Sequence, residues 1–157
     1  GLSQRLKVPR REAQNLIETY FRLYPKVKDY MNAAIARARA TGYAETVLGR
    51  RRTLRDISSR NATARQSAER DAINTPIQGT AADLIKLAMV KVDRALKAER
   101  LRSKMVLQIH DELVFDCPKD EAARVKEIVR REMTTALDFG VPLDVGLGEG
   151  ANWLDAH

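Results

Sequence analysis

Gln108-Ile109-His110-Asp111-Glu112-Leu113-Val114-Phe115-Asp116-Cys117 is the stretch on which the reading of the fold turns. Two apolar runs, Met105 to Ile109 and Leu113 to Cys117, flank a short polar centre. Each run has the length of a buried strand and the centre that of a tight turn, so the spacing predicts a β-hairpin. Two adjacent carboxylates, Asp111 and Glu112, then stand at its tip. Carboxylates fixed on a rigid element at the edge of a core are what a divalent-metal site requires. The tripeptide also suits an ordinary hairpin with a solvated turn, because short motifs recur by chance.

Outward from the hairpin, Lys119 to Leu137 predicts a helix with Val125, Ile128, Val129 and Met133 inward, and Leu143 to Gly148 a last strand closing at Trp153. Upstream, residues 62–100 form one helical stretch. Pro76 interrupts it, because proline removes a backbone donor and clashes with the preceding turn, so a kink or junction is expected there. Its second half carries Ala81, Leu84, Ile85, Ala88, Met89, Val92 and Leu96 on one face. Asn61 suits the N-cap. Tyr43 to Leu48, then Gly49-Arg50-Arg51, then Arg52 to Leu54, reads as a small basic hairpin. Before it lie two amphipathic helices, residues 9–24 with Pro9 in the first turn, and a second to about Ala40 with Gly42 as the stop, Pro25 either ending the first or beginning the second. The order predicts an α+β fold, long helices backing a small antiparallel sheet.

The chain has 157 residues, 44% hydrophobic and 31% charged, with a net charge of +7. Those are globular values, which exclude wholesale disorder. No apolar run approaches a membrane span and no signal peptide opens the chain, so a soluble protein is expected. Cys117 is the single cysteine. It cannot close an internal disulfide, which suits a reducing compartment, and it is expected to be a small side chain in a buried strand. Gly1 is not an initiator methionine, so the chain reads as a piece of something longer or processed.

Charge is unevenly spread. Between Arg37 and Arg70 stand nine arginines and no lysine, against Glu45, Asp56 and Glu69, a net +6. Arginine without lysine favours bidentate phosphate or base contacts, which makes nucleic acid the expected partner. Arg70, Asn74 and Gln78 follow at i, i+4 and i+8, one face of a continuous helix. All three can donate to base edges or sugars, although a plain polar face explains the spacing equally well. Next, Gln78-Gly79-Thr80-Ala81-Ala82-Asp83 is rich in small residues, which permit close approach of a backbone or duplex.

Thr75-Pro76-Ile77-Gln78-Gly79-Thr80-Ala81-Ala82-Asp83, followed about 30 residues later by the His110-Asp111-Glu112 hairpin, resembles the C-terminal part of family-A DNA polymerases. The resemblance runs the whole length: Tyr20-Phe21 through Tyr24-Pro25, Gly42-Tyr43 to Gly49-Arg50-Arg51, Ala68 to Asn74, and Asn152-Trp153 to Ala156-His157. It implies that residues 1–42 are a fingers-derived helical pair. Residues 43–157 would then be a palm-derived portion with the basic hairpin, the long kinked helix and the catalytic hairpin.

By the same resemblance Asp111 matches a catalytic aspartate that binds two Mg²⁺ ions in the complete enzyme, and Glu112 the adjacent, less essential carboxylate. His110 matches a histidine near the primer terminus, although orienting the turn is an equal role for it. Arg70, Asn74 and Gln78 match residues facing the template and the minor groove. Acceptors there are common to all correct pairs, so donors can test pair shape. Arg50, Arg51 and Arg52 complete the expected DNA contacts. The implied partners are primer–template DNA and, in the complete enzyme, deoxynucleoside triphosphates, and the implied compartment is the cytoplasm, at the nucleoid. In such enzymes the primer 3′ oxygen attacks the α-phosphate of the nucleotide while two metals assist.

The chain departs from the family pattern in two places. It begins downstream of the fingers helix with the nucleotide-binding arginine, lysine and tyrosine, and it lacks the strand with the first aspartate. Asp116 is a poor substitute for that residue. The expectation is therefore a portion of a DNA polymerase that is inactive alone, with an exposed apolar patch between Pro9 and Ala40 and a tendency to self-associate. The rival is a non-catalytic nucleic-acid-binding module. A Mg²⁺ nuclease using Asp111 and Glu112 is a third reading, disfavoured because one adjacent pair gives poor two-metal geometry.

Overall fold

Proline marks the start of two helices of the first half and glycine the end of one, as their backbone chemistry favours. The computed structural model describes residues 2–156, so Gly1 and the closing His157 of the terminal motif lie outside the described residues. A short helix α1, Leu2–Leu6, which the sequence does not announce, precedes α2, Arg10–Leu23. Pro9 sits one place earlier than expected, at the N-cap of α2 and not in its first turn. In α3, Pro25–Thr41, Pro25 occupies the first turn, and Gly42 ends the helix in the left-handed region at φ 78°. No residue with a Cβ adopts that conformation as readily.

The basic hairpin pairs β1, Tyr43–Glu45, with β2, Arg51–Thr53, in antiparallel register, Glu45 opposite Arg51. Its strands are shorter than expected. Thr46 N–H donates to the Arg50 carbonyl at 2.9 Å and Gly49 N–H to the Thr46 carbonyl at 3.0 Å, so Thr46–Arg50 is the loop. Gly49 holds φ 83° there. Helix α4, Ala62–Asn74, starts as expected on Asn61, whose Oδ1 accepts from the N–H of Thr63 and of Ala64.

The expected break at Pro76 is a π-helical segment, Thr75–Gly79, leading without interruption into α5, Thr80–Ala98. Pro76 has no N–H for the carbonyl four residues back, and the ladder slips by a residue where a break was anticipated. Gly79 has ordinary helical dihedrals, so its φ does not demand glycine.

By compactness the chain forms two units, 1–77 and 78–157. The expectation divided it at residue 42. That helical pair has no separate core, because Ala38 of α3 shares one with Ala44, Leu54, Ile57, Ala68 and Ala72. This core is largely alanine, which lets α3 lie close on α4. Tyr30 Oη donates to the Ile73 carbonyl at 2.9 Å, and burial pushes its phenol pKa up. Leu16, Ile17, Tyr20 and Leu23 of α2 and Tyr24 at its C-cap are exposed, the apolar surface that was expected.

In the second unit α5 packs on α6, Ala122–Thr134, through Val92, Leu96, Val125, Ile128 and Val129. The outer members of the expected α5 face depart from it: Ala81 is exposed, Leu84 and Met89 are half-buried, and Asp83 and Thr80 are buried. Against the α5–α6 core lies the hairpin of β3, Lys104–Ile109, and β4, Glu112–Asp116, with a bulge between Met105 and Leu107.

Those strands are not buried as expected. Val106 and Leu107 are more than half exposed and only Met105, Phe115 and Cys117 pack on the core. Cys117 lies one residue beyond β4 and is half-buried. The helix expected from Lys119 to Leu137 is trimmed at both ends. The strand expected at 143–148 is absent: the segment pairs with neither outer edge of the β3–β4 hairpin, and of its residues only Leu147 reaches the core. The fold is α+β with two separate two-stranded sheets, where one small sheet was expected. No helix among the described residues is long and apolar enough to cross a membrane.

Glu121 anchors the entry to β3. Its carboxylate accepts from Ser103 Oγ at 2.6 Å, Ser103 N at 2.9 Å, Arg102 N at 3.0 Å and Arg102 Nε at 3.1 Å. The Ser103 hydroxyl, then the Arg102 amide, hold its pKa well below the usual 4.5, at about 2. A depressed carboxylate pKa adds stability that is present above the unfolded value and lost as pH falls towards the folded one. Glu121→Gln should therefore flatten the loss of stability between pH 4.5 and 2, followed by urea denaturation. Parallel curves for the two proteins would show that the clamp contributes nothing.

Candidate active site and nucleic-acid interface

The hairpin tip is a two-residue turn, His110-Asp111, between paired Ile109 and Glu112. His110 takes the left-handed conformation at φ 52°. That region is uncommon outside glycine, with histidine among the residues that tolerate it. Gln108 Nε2 donates to the His110 carbonyl at 2.7 Å and braces the turn. Both orienting the turn and facing outward are therefore open to His110, which is exposed.

Asp111 is exposed and makes no ion pair among the described residues, whereas Glu112 is half-buried as the first residue of β4. Among the described residues no three histidine, cysteine, aspartate or glutamate side chains gather to hold a metal. Asp111 suits a single ligand position, and the chain's own donors do not make a complete cage. Asp116, at the far end of β4, is exposed and contributes nothing to the tip.

In the first unit the basic segment is less free than its composition suggests. Arg51 Nε donates to Glu45 Oε2 at 2.7 Å, and its guanidinium lies 4.5 Å over the Tyr43 ring. Arg37 approaches the other Glu45 oxygen at 3.8 Å. Arg39 pairs with Glu69 at 2.6 Å and Arg52 with Asp71 at 2.9 Å. Arg50 closes the hairpin loop through its backbone and its side chain is exposed.

Arg70 and Asn74 are exposed on α4, four residues apart and so on one face. Gln78 is exposed but belongs to the π-helical segment and to the second unit, so the single continuous α-helical face expected for the three is not formed by regular spacing. Sequence reasoning singled out neither Tyr43 nor Asp71. The period-2 spacing of Tyr43 and Glu45 was available, but only the register shows that both meet Arg51. Asp71 gives no signal beyond standing next to Arg70.

Residues 1–155 match the family described as DNA polymerase family A. The chain is 47% identical over 156 residues to DNA polymerase I of Streptococcus pneumoniae serotype 4, covering 99% of this chain and 18% of that protein. It is 48% identical over 153 residues to DNA polymerase I of Mycobacterium bovis, covering 98% and 17%. The chain thus spans less than a fifth of the length of these curated relatives. Among solved structures it is similar to the polymerase domain of Pol1 from M. smegmatis in complex with DNA primer–template and dNTP. The TM-score is 0.96 at 46% identity, covering 99% of this chain and 28% of that one.

The strained turn makes a specific demand on residue 110. His110→Val should destabilise the second unit by about 1 kcal/mol, because a β-branched residue resists the left-handed region, while His110→Gly should be neutral or better. Urea melts of the two variants decide this, and equal stability would show that the turn relaxes to another conformation.

Proposed function

Because the chain belongs to DNA polymerase family A, we propose that it is the C-terminal part of a DNA-directed DNA polymerase that carries out template-dependent nucleotidyl transfer. Residues 1–42 derive from the fingers and 43–157 from the palm. The observation that carries this reading is the exposed Asp111 on a braced hairpin tip, in a chain that superposes over 99% of its length on a polymerase domain.

In this reading Asp111 is a catalytic carboxylate and metal ligand, and Glu112 stands beside it in support. The family generally uses divalent metal ions, and two Mg²⁺ are proposed for the complete enzyme. Since the described residues do not form a cage alone, the tip supplies one of several ligands and the rest come from sequence outside these residues. What the chain itself does is hold and orient primer–template DNA. His110 contacts the strand near the primer terminus. Arg70, Asn74 and Gln78 donate to the minor groove and template. Arg50, Arg51 and Arg52 neutralise backbone phosphates, an interaction that falls with salt. The complete enzyme also binds deoxynucleoside triphosphates and works in the cytoplasm on the nucleoid.

The purified 157-residue chain should bind primer–template yet extend no primer with Mg²⁺ and all four triphosphates. In the complete polymerase, Asp111→Ala should abolish extension and leave DNA affinity within about twofold, since an exposed charge removed from the tip leaves the phosphate contacts in place. Templated extension by the isolated chain would overturn the partial-site reading. Full activity of the Asp111→Ala polymerase would overturn the role of Asp111.

A further inference from the structure

We propose that the hollow between the exit of β2 and helix α4 is a seat for a backbone phosphate of bound DNA. In it Arg55 is a further phosphate donor, and Asp71 is a positioning residue that aims Arg52. This rests on the DNA-binding reading above and adds a site to it. The hollow has a volume of about 320 Å³ and is walled by Arg52, Thr53 and Arg55 on one side and by Ser67 and Asp71 of α4 on the other. Ala64 and Ala68 form the α4 wall between, and their short side chains are what leave the space.

The two arginines differ in a way that matters. Arg55 is exposed and makes no ion pair among the described residues, so its donors are available. Arg52 gives Nη2 to Asp71 Oδ2 at 2.9 Å, with side chains 56% and 36% exposed. A pair so exposed adds little to stability, and β2 is exposed along its whole length, so the bridge has no core to hold in place. Its effect is on the arginine. A guanidinium carries five N–H donors in a rigid fork, and one contact leaves the others to face an anion. Fixing the fork beforehand removes rotamer entropy that binding would otherwise cost.

The hollow also contains Asp56, which holds no arginine. Its lining is therefore balanced in formal charge, and the attraction for an anion comes from the surrounding segment, where nine arginines face three acidic residues between Arg37 and Arg70. A phosphodiester fits this arrangement: singly charged, met by the two arginine forks from the β2 side, with the Ser67 hydroxyl of α4 as a further donor.

Asp56 and Asp71 give a test by sign. Each is an acid at the same hollow, and removing either raises the net charge by one. If carboxylates there only repel DNA, both alanine variants tighten binding. Under the proposal Asp56→Ala tightens primer–template binding by this chain while Asp71→Ala weakens it about 3-fold to 10-fold. Arg55→Gln should lower the slope of log affinity against log salt by about 1, with no change in the urea melt. Asp71→Glu, which keeps the carboxylate, should recover most of the affinity. Tighter binding by Asp71→Ala, or an unchanged salt slope in Arg55→Gln while the unsubstituted chain binds, overturns the seat and leaves DNA binding standing. No binding by the unsubstituted chain at low salt overturns both.

Discussion

The packing of α5 on α6 is the interaction on which the candidate site depends. A two-stranded hairpin is marginal in water by itself, and β3 and β4 pair with nothing but each other. Their hold on the rest of the unit is Met105, Phe115 and Cys117 resting on Val92, Leu96, Val125, Ile128 and Val129, with Val92 and Ile128 fully buried. Burying two such side chains is worth roughly 1.5–3 kcal/mol each. The Glu121 carboxylate then fixes where the strand begins, by tying residues 102 and 103 to the start of α6. Position at the tip follows from these two contacts: the core sets the plane of the hairpin and the clamp sets its origin.

The first unit is organised by a different force. Its core is mostly alanine and supplies little area, so polar latches accompany it: Tyr30 to the Ile73 carbonyl, Arg39 to Glu69, Arg52 to Asp71. Each latch joins α3 or the basic hairpin to α4. Exposed ion pairs of this kind stabilise only weakly, but they orient the arginines that make them. The acidic residues of a strongly basic segment thus act on the geometry of its positive charge and only slightly on its amount.

Much of this was legible in the chain, and the failures share a cause. Local chemistry read well: Gly42 as a helix stop, Asn61 as an N-cap, Pro25 at a helix boundary, and a hairpin turn expected over His110-Asp111-Glu112 that proves one residue shorter. Each is decided by a few neighbouring residues and their hydrogen bonds. What depends on distant partners read poorly. Residues 143–148 have strand-like composition, yet the segment pairs with neither edge of the hairpin. The apolar runs around the tip implied burial, yet Val106 and Leu107 face solvent because the core reaches only part of the hairpin. Pro76 signalled disruption, and whether that meant a break or a π-helical slip was decided by how the ladder re-formed on either side. For the site, the residue types of Asp111, Arg70 and Asn74 were visible, whereas the carboxylates that hold Arg51 and Arg52 became visible only with strand register and with the approach of α4.

The electrostatic setting of Asp111 differs from that of the carboxylates that hold its unit together. Several carboxylates of its unit pair with the chain's own cations, Glu99 and Glu127 with Arg124, Asp120 and Glu121 with Arg102, Glu149 with Lys126, whereas Asp111, like Asp116, Asp138, Asp144 and Asp155, makes no such pair among the described residues. Asp111 stands apart at a tip where the nearest brace, Gln108, is neutral and bonds to the backbone. A carboxylate on a rigidly placed backbone and without an internal cation partner leaves its oxygens open to an external cation. The strained φ of His110 serves the same end. It tightens the turn to two residues, so that Asp111 projects from the shortest and stiffest connection a hairpin can make.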